Sequence, residues 1–300
     1  MEKNYGQVLR RMREEKGYSL RQVSNGILST SFLSKFERGE SNISLSHFIR
    51  IIERMNISLD EFVFSANEYK PNDLDRLMSD IASAYQRNNT SKLKIITKKE
   101  YEKWEEYGLD AYLCNSIMAE AMMLNLQKKE IDKKKREYIA NYLFKVDLWG
   151  NYELVVYANS LTIFPPETVV ALSKEVVKKT SMYKLVHKNF VQTLAILLNT
   201  TIVCLESNLL NDALYFILTL DNMHMAENLF YERTLLIFLK GIYEIKKGDI
   251  EAGEGLARKA ITTMYTIGSE DLAISHEEYL ENLLTIQFEK MPVQKIDSTI

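Results

Sequence analysis

The sequence predicts an all-α protein: a five-helix unit at the N-terminal end, then an α-solenoid of tetratricopeptide-like helical hairpins. Three observations carry this. Apolar residues recur at helical spacing over most of the chain, and no stretch alternates convincingly as a half-buried strand would. Helix starts carry Ser or Asn caps, and stops carry Gly or Asn. Only four prolines occur in 300 residues, and the breaks between helical patterns are short.

Three hundred residues suffice for two domains, and a hydrophobic fraction of 46% with 26% charged residues is that of an ordinary globular protein. The net charge of −3 argues against binding a polyanion over the whole surface. Residues 1–40, however, hold eight basic side chains against five acidic ones, a local +3 that leaves −6 for the remainder. A basic end on an acidic body fits a localised polyanion site. Cys114 and Cys204 stand far apart without a CxxC motif, as expected of reduced thiols in a cytoplasmic protein. No N-terminal signal is visible and no apolar run comes near a membrane span of ~20 residues, so no membrane partner is expected.

Five short helices are expected within residues 1–65. In the first, Tyr5 to Lys16, Val8, Leu9 and Met12 share a face, and Gly17 stops it. Ser19 and Gln22 form a capping box for the second. Asn25-Gly26 breaks the chain, Ser29 caps the third helix, and Gly39 ends it in a left-handed cap. On that helix Phe32, Leu33 and Phe36 are expected inward, while Thr30, Ser31, Ser34 and Lys35 form the outer side. Short hydrogen-bonding groups with one cation suit the base edges of a DNA major groove. Ser44 or Ser46 opens the fourth helix, Asn56 ends it, and Ser58 with Glu61 makes a second capping box for the fifth.

These residues carry a resemblance. The stretches GYSLRQ at 17–22, STSFLSKFERG at 29–39, Asn42 and MNISLDEF at 55–62 resemble the helix-turn-helix domain of Xre/Cro-type repressors. Phe36 stands where that family usually has Ile or Leu, a change of core volume. The resemblance implies that Thr30, Ser31, Ser34 and Lys35 face base edges of double-stranded DNA, while Arg13, Gln22, Arg38 and Asn42 hold phosphates.

Residues 66–72, ending in Pro71-Asn72, are the expected linker, and Asn72 or Asp73 can cap the next helix. From 73 to 290 the pattern predicts eleven helices at 73–88, 91–107, 109–127, 130–147, 151–163, 166–183, 187–206, 209–222, 226–247, 250–267 and 270–289. The joints are short, which makes successive helices antiparallel neighbours in a regulatory and dimerisation domain. Residues 291–300 are expected to be a disordered tail. Gly241, Gly248, Gly253 and Ala260 fall at offsets 0, 7, 12 and 19, the small-residue positions of a tetratricopeptide repeat. Thr201, Asn208, Ala213 and Leu220 repeat those offsets one unit earlier, at about 40 residues rather than the usual ~34.

A solenoid has a concave face that commonly holds extended peptides. Tyr152, Asn159, Asn189, Gln192, Asn228 and Arg233 are the candidate peptide-binding residues: amides can both donate to and accept from a peptide backbone, and an arginine can fork a carboxylate. Phe230, Tyr231, Phe238 and Tyr243 read as core. With the DNA-binding unit, the array makes the chain resemble the Rgg/GadR/MutR regulators, most of all at residues 32–43 and Trp149–Leu154. That resemblance implies a cytoplasmic homodimer controlled by a short signalling peptide. Dimerisation is expected through the helix around Ile274 to Ile286, with the 66–90 linker region as the other candidate. The competing reading makes the array a scaffold that docks a protein partner. His47, His187, His224 and His276 are scattered without a catalytic motif, so neither an enzyme nor a metal or other cofactor is expected.

Overall fold

The computed structural model describes residues 4–180 and 186–290, all as helices and their joints. The expected tail at 291–300 lies outside the described residues. Packing divides the chain into two compact units, residues 1–88 and 89–300.

The first unit holds α1 (Tyr5–Glu15), α2 (Leu20–Ser24), α3 (Thr30–Glu37), α4 (Leu45–Arg54), α5 (Leu59–Ala66) and α6 (Asp73–Gln86). Its helix ends are set locally. Ser19 with Gln22 and Ser58 with Glu61 form reciprocal capping boxes, while Ser29 and Ser44 accept from the backbone three residues on. Gly39 closes α3 at φ +77, a conformation that glycine adopts without Cβ strain. The core gathers Leu9, Leu33, Phe36, Ile51, Met55 and Phe62, with Phe48 edge-on to Phe62 at 4.7 Å. α1 runs so close to the end of α3 that a Cβ on Gly6 would overlap the Phe36 carbonyl. Phe32, expected inside, is 39% exposed, because α3 has only the width of Leu33 and Phe36 turned to the core. By packing, α6 groups with the first unit, so the boundary between compact units falls after Asn88 rather than at Pro71-Asn72.

The second unit comprises α7 (Thr90–Tyr107), α8 (Asp110–Leu126), α9 (Lys133–Lys145), α10 (Asn151–Ser160) with a 3-10 turn at Leu161–Ile163, and α11 (Pro166–Lys179). It continues through α12 (His187–Glu206), α13 (Leu210–Asp221), α14 (Phe230–Lys247), α15 (Ile250–Thr266) and α16 (Glu270–Lys290). Left-handed joints at Asn208 (φ 58) and Gly248 (φ 112) turn the chain back at equivalent points of successive hairpins. The glycines of the repeat pattern seat α14 on α15: a Cβ on Gly241 would come within 2.6 Å of the Gly253 carbonyl oxygen.

Helices α8, α10, α12, α14 and α16 touch one another in succession and form one layer, whereas of the odd-numbered helices from α9 on only α9 and α11 make comparable contact. Helices on the inner side of a superhelix crowd and those outside splay, which makes the even-numbered layer the concave one. One sequence expectation needs correcting. α12 is, at 20 residues, long and apolar enough to cross a membrane by composition. More than half of its apolar window is buried within the array, with Leu194, Leu197 and Leu198 in the main core, which marks it as a core helix.

Candidate functional site

The first unit presents α3 on a braced turn. Gly26 at φ +68 turns the chain between α2 and α3, leaving carbonyls without helical partners. Two arginines of α4 satisfy them: Arg54 donates to the carbonyls of Val23 (3.0 Å) and Asn25, and Arg50 donates to Gly26 (3.1 Å). Neither arginine carries a sequence signal for this role, since only the fold brings residues 50 and 54 to the turn.

On α3, Thr30, Ser31 and Lys35 are exposed, and Lys35 has no ion-pair partner among the described residues. Ser34 is half-buried, and its Oγ accepts from Arg38 Nη1 at 2.5 Å. Arg38 also forks the Glu40 carboxylate at 2.6 and 2.7 Å, which holds that exposed carboxyl below its usual range. Arg38 is therefore partly neutralised until a stronger anion displaces Glu40. Gln22 and Asn42 are exposed, with Gln22 Oε1 accepting from the Ser19 N–H at 2.8 Å. The Ser41 hydroxyl beside Asn42 is buried without a partner among the described residues.

Arg13 is corrected. It is 7% exposed, and its Nε and Nη2 each lie 2.7 Å from an oxygen of the buried Glu37 carboxylate, while Nη1 donates to the Tyr18 carbonyl at 2.7 Å. With a further bond to Glu14 at 3.3 Å, four of the five N–H donors are committed and the group is buried, which keeps it from a phosphate. Its role is to tie α1 to α3.

The six candidate peptide residues do not share one surface. Tyr152 is spent inside the array, where its hydroxyl donates to the Ala111 carbonyl at 2.7 Å and meets Asn115 Oδ1 at 3.1 Å. Asn159 binds its own helix through the Val155 carbonyl and lines a cleft of about 310 Å³ with Asn125, Arg136 and Phe164. Asn189 is buried at the edge of another cleft of about 280 Å³, floored by Phe190, Leu197 and Met223. Met223 also borders the cleft lined by Arg233, whose guanidinium forms no ion pair with a neighbouring acid among the described residues. Gln192 is half-buried and Asn228 exposed, and neither lines these clefts. Phe230 (63% exposed) and Tyr231 (51%) lie on the surface rather than in the core.

The concave layer itself holds a different cleft, of about 150 Å³, between α12, α14 and α16. Ile202, Leu235, Phe238 and Ile242 make its floor, and Glu206, His276 and Tyr279 stand on its rim. The His276 ring sits edge-on to Phe238 at 4.6 Å, and its Nδ1 donates to the Leu272 carbonyl at 2.8 Å, which leaves Nε2 as an acceptor on the neutral ring. Burial, and then the charge of Glu206, pushes the Tyr279 phenol above its ordinary range. Amides that interrupt apolar helix faces do not point to this site. Its only sequence signal is the i, i+3 pair His276 and Tyr279 on the last helix of the array.

Fold and surface thus define a helix-turn-helix DNA-binding regulator with a helical-repeat domain. Residues 93–278 match the family model described as HTH-type transcriptional regulator Rgg, C-terminal domain, and residues 9–62 match a helix-turn-helix model. The chain belongs to the Rgg family of transcriptional regulators, a non-enzymatic class. It is similar to the crystal structure of the SHP pheromone receptor Rgg2 of Streptococcus dysgalactiae at 26% identity and a TM-score of 0.80, covering 93% of this chain and 99% of that one. A putative transcriptional regulator from Listeria monocytogenes EGD-e shares the fold at 21% identity and a TM-score of 0.83, over 96% of this chain and 99% of that one. So does PrgX in its complex with iCF10, at 18% identity and 0.72, over 96% and 98%.

Proposed function

We propose that the protein is a cytoplasmic homodimer that binds operator DNA through α3 and is controlled by a short peptide held in the concave layer of its array. The observation that carries the regulatory half is the cleft between α12, α14 and α16: an apolar floor with polar groups on one rim, as small-ligand sites have. The structural neighbour that is a pheromone receptor supports the same reading. Thr30, Ser31, Ser34 and Lys35 read base edges, and Gln22, Arg38 and Asn42 hold the backbone. The exposed Ile274 and Ile286 on α16 supply apolar surface for the dimer.

Two α3 helices would enter major grooves one helical turn apart, about 34–36 Å, on a near-palindromic site. A peptide changes operator occupancy tenfold if it binds one DNA-binding state better than the other by ~1.4 kcal/mol. Selection of duplexes by the full-length protein from a random library tests the output. The expected product is an inverted repeat with half-sites about 10–10.5 base pairs apart, centre to centre. Recovery of no shared sequence would overturn the reading.

A further inference from the structure

The concave cleft is nearly featureless in charge. Its floor is aliphatic and aromatic, and the one ionic group lining it is the Glu206 carboxylate. Glu206 is exposed and forms no ion pair among the described residues. It is also the last residue of α12, where the helix dipole disfavours an anion. Glu206 is thus an anion at an unfavourable helix end, with no basic residue in the last turn of α12 to offset it. Beside it, His276 spends its Nδ1 on the Leu272 carbonyl, so Nε2 is the ring nitrogen left for a ligand. The rim therefore offers acceptors and a negative charge next to a dry floor. A cavity of about 150 Å³ is of the size that takes a benzene-sized group.

We infer that this cleft takes a bulky aliphatic or aromatic side chain of a peptide whose positive charge, lying next to that side chain, pairs with Glu206. The inference rests on the peptide-controlled reading above and states its ligand chemistry. The charge can come from a free N-terminal ammonium or from a Lys or Arg neighbour. In either source the cation supplies what the α12 terminus lacks, and the apolar side chain covers Phe238 and Leu235. An acidic peptide would meet an unpaired carboxylate in a partly dry site and be excluded.

The test equilibrates the full-length protein with a randomised eight-residue peptide library and identifies retained peptides by mass spectrometry. Retained peptides should be enriched in Leu, Ile or Phe next to Lys, Arg or a free N-terminus. An N-acetylated library separates the sources: enrichment that survives assigns the charge to Lys or Arg, and enrichment that disappears assigns it to the terminus. Glu206→Gln should weaken the best retained peptide at least tenfold while the unliganded protein melts no lower than wild type, because an unfavourable charge has been removed. Glu206→Lys should turn the enrichment toward Asp and Glu. An unchanged enriched set in Glu206→Lys, or equal retention of N-acetylated peptides that lack Lys and Arg, overturns this inference and leaves the peptide-controlled reading standing. Retention of no peptide by the wild-type protein overturns both.

Discussion

Arg13 and Glu37 meet in a buried forked ion pair, two hydrogen bonds of 2.7 Å joining the end of α1 to the end of α3. The pair fixes how the DNA-reading helix is carried. Removing one partner strands the other charge, at a cost of about 3–5 kcal/mol, whereas replacing both by apolar residues of similar volume can be neutral. Arg13→Ala should therefore accelerate amide exchange across α1 and α3, and Arg13→Met with Glu37→Leu should restore protection. Local exchange is the measurement to use, because a chain with two compact units need not unfold in one step.

Lys35 points outward with no ion-pair partner among the described residues, and Ser34 is the next polar group on the same helix. Lys35→Ala with Ser34→Ala should weaken binding to a selected operator by about ten- to a hundredfold, taking ~1–3 kcal/mol for each base-edge hydrogen-bonding pair removed. The circular-dichroism spectrum and oligomeric state should not change. Unaltered operator affinity in an anisotropy titration would refute the assignment of α3.

Arg54 acts on DNA binding at one remove. It holds the carbonyls that end α2, and its removal leaves them without partners at a cost of about 1–3 kcal/mol. Arg54→Ala should lower operator affinity and raise exchange at residues 23–28. The salt dependence of the remaining affinity should match wild type, since every phosphate-binding cation is still in place.

Gly241 and Gly253 allow a close approach of α14 and α15, a built Cβ on either falling 2.5–2.6 Å from the other's carbonyl oxygen. Gly241→Ala or Gly253→Ala should destabilise the second unit by ~1–3 kcal/mol through overpacking. Gly255→Ala, where an added Cβ meets open space within the same α15, should instead stabilise by about 0.5–1 kcal/mol. Opposite shifts in thermal unfolding two residues apart would separate packing from helix propensity.

Cys114 and Cys204 are buried, and burial pushes both thiols up to about 12. At pH 8 neither forms appreciable thiolate, so iodoacetamide should leave the native chain unmodified and alkylate both after denaturation.

Helix starts and stops were legible because their causes are local. A serine cap, a reciprocal glutamine or glutamate, and a left-handed glycine act within four residues of the feature they create. α7 and α15, capped by Asn89 and Asp249, accordingly run from 90 to 107 and from 250 to 266, against expectations of 91–107 and 250–267. The outward groups of α3 came from the same short-range periodicity.

Position in sequence said little about what a long side chain reaches. Arg13 looks on paper like a phosphate ligand, and only the packing of α1 on α3 consumes it in Glu37. Tyr152 and Asn159 interrupt apolar faces as ligand residues would, yet hydrogen bonds within the array take up the Tyr152 hydroxyl and bind the Asn159 amide. The concave cleft draws on residues 202 to 279, with Glu206, Phe238 and His276 arriving from three helices. By itself the sequence determined an all-helical chain, most of its helix boundaries and the outward polar side of α3, since those depend on interactions a few residues long. Tertiary structure alone decided which polar groups stay free to bind, because a side chain is free only when no distant segment has been folded against it.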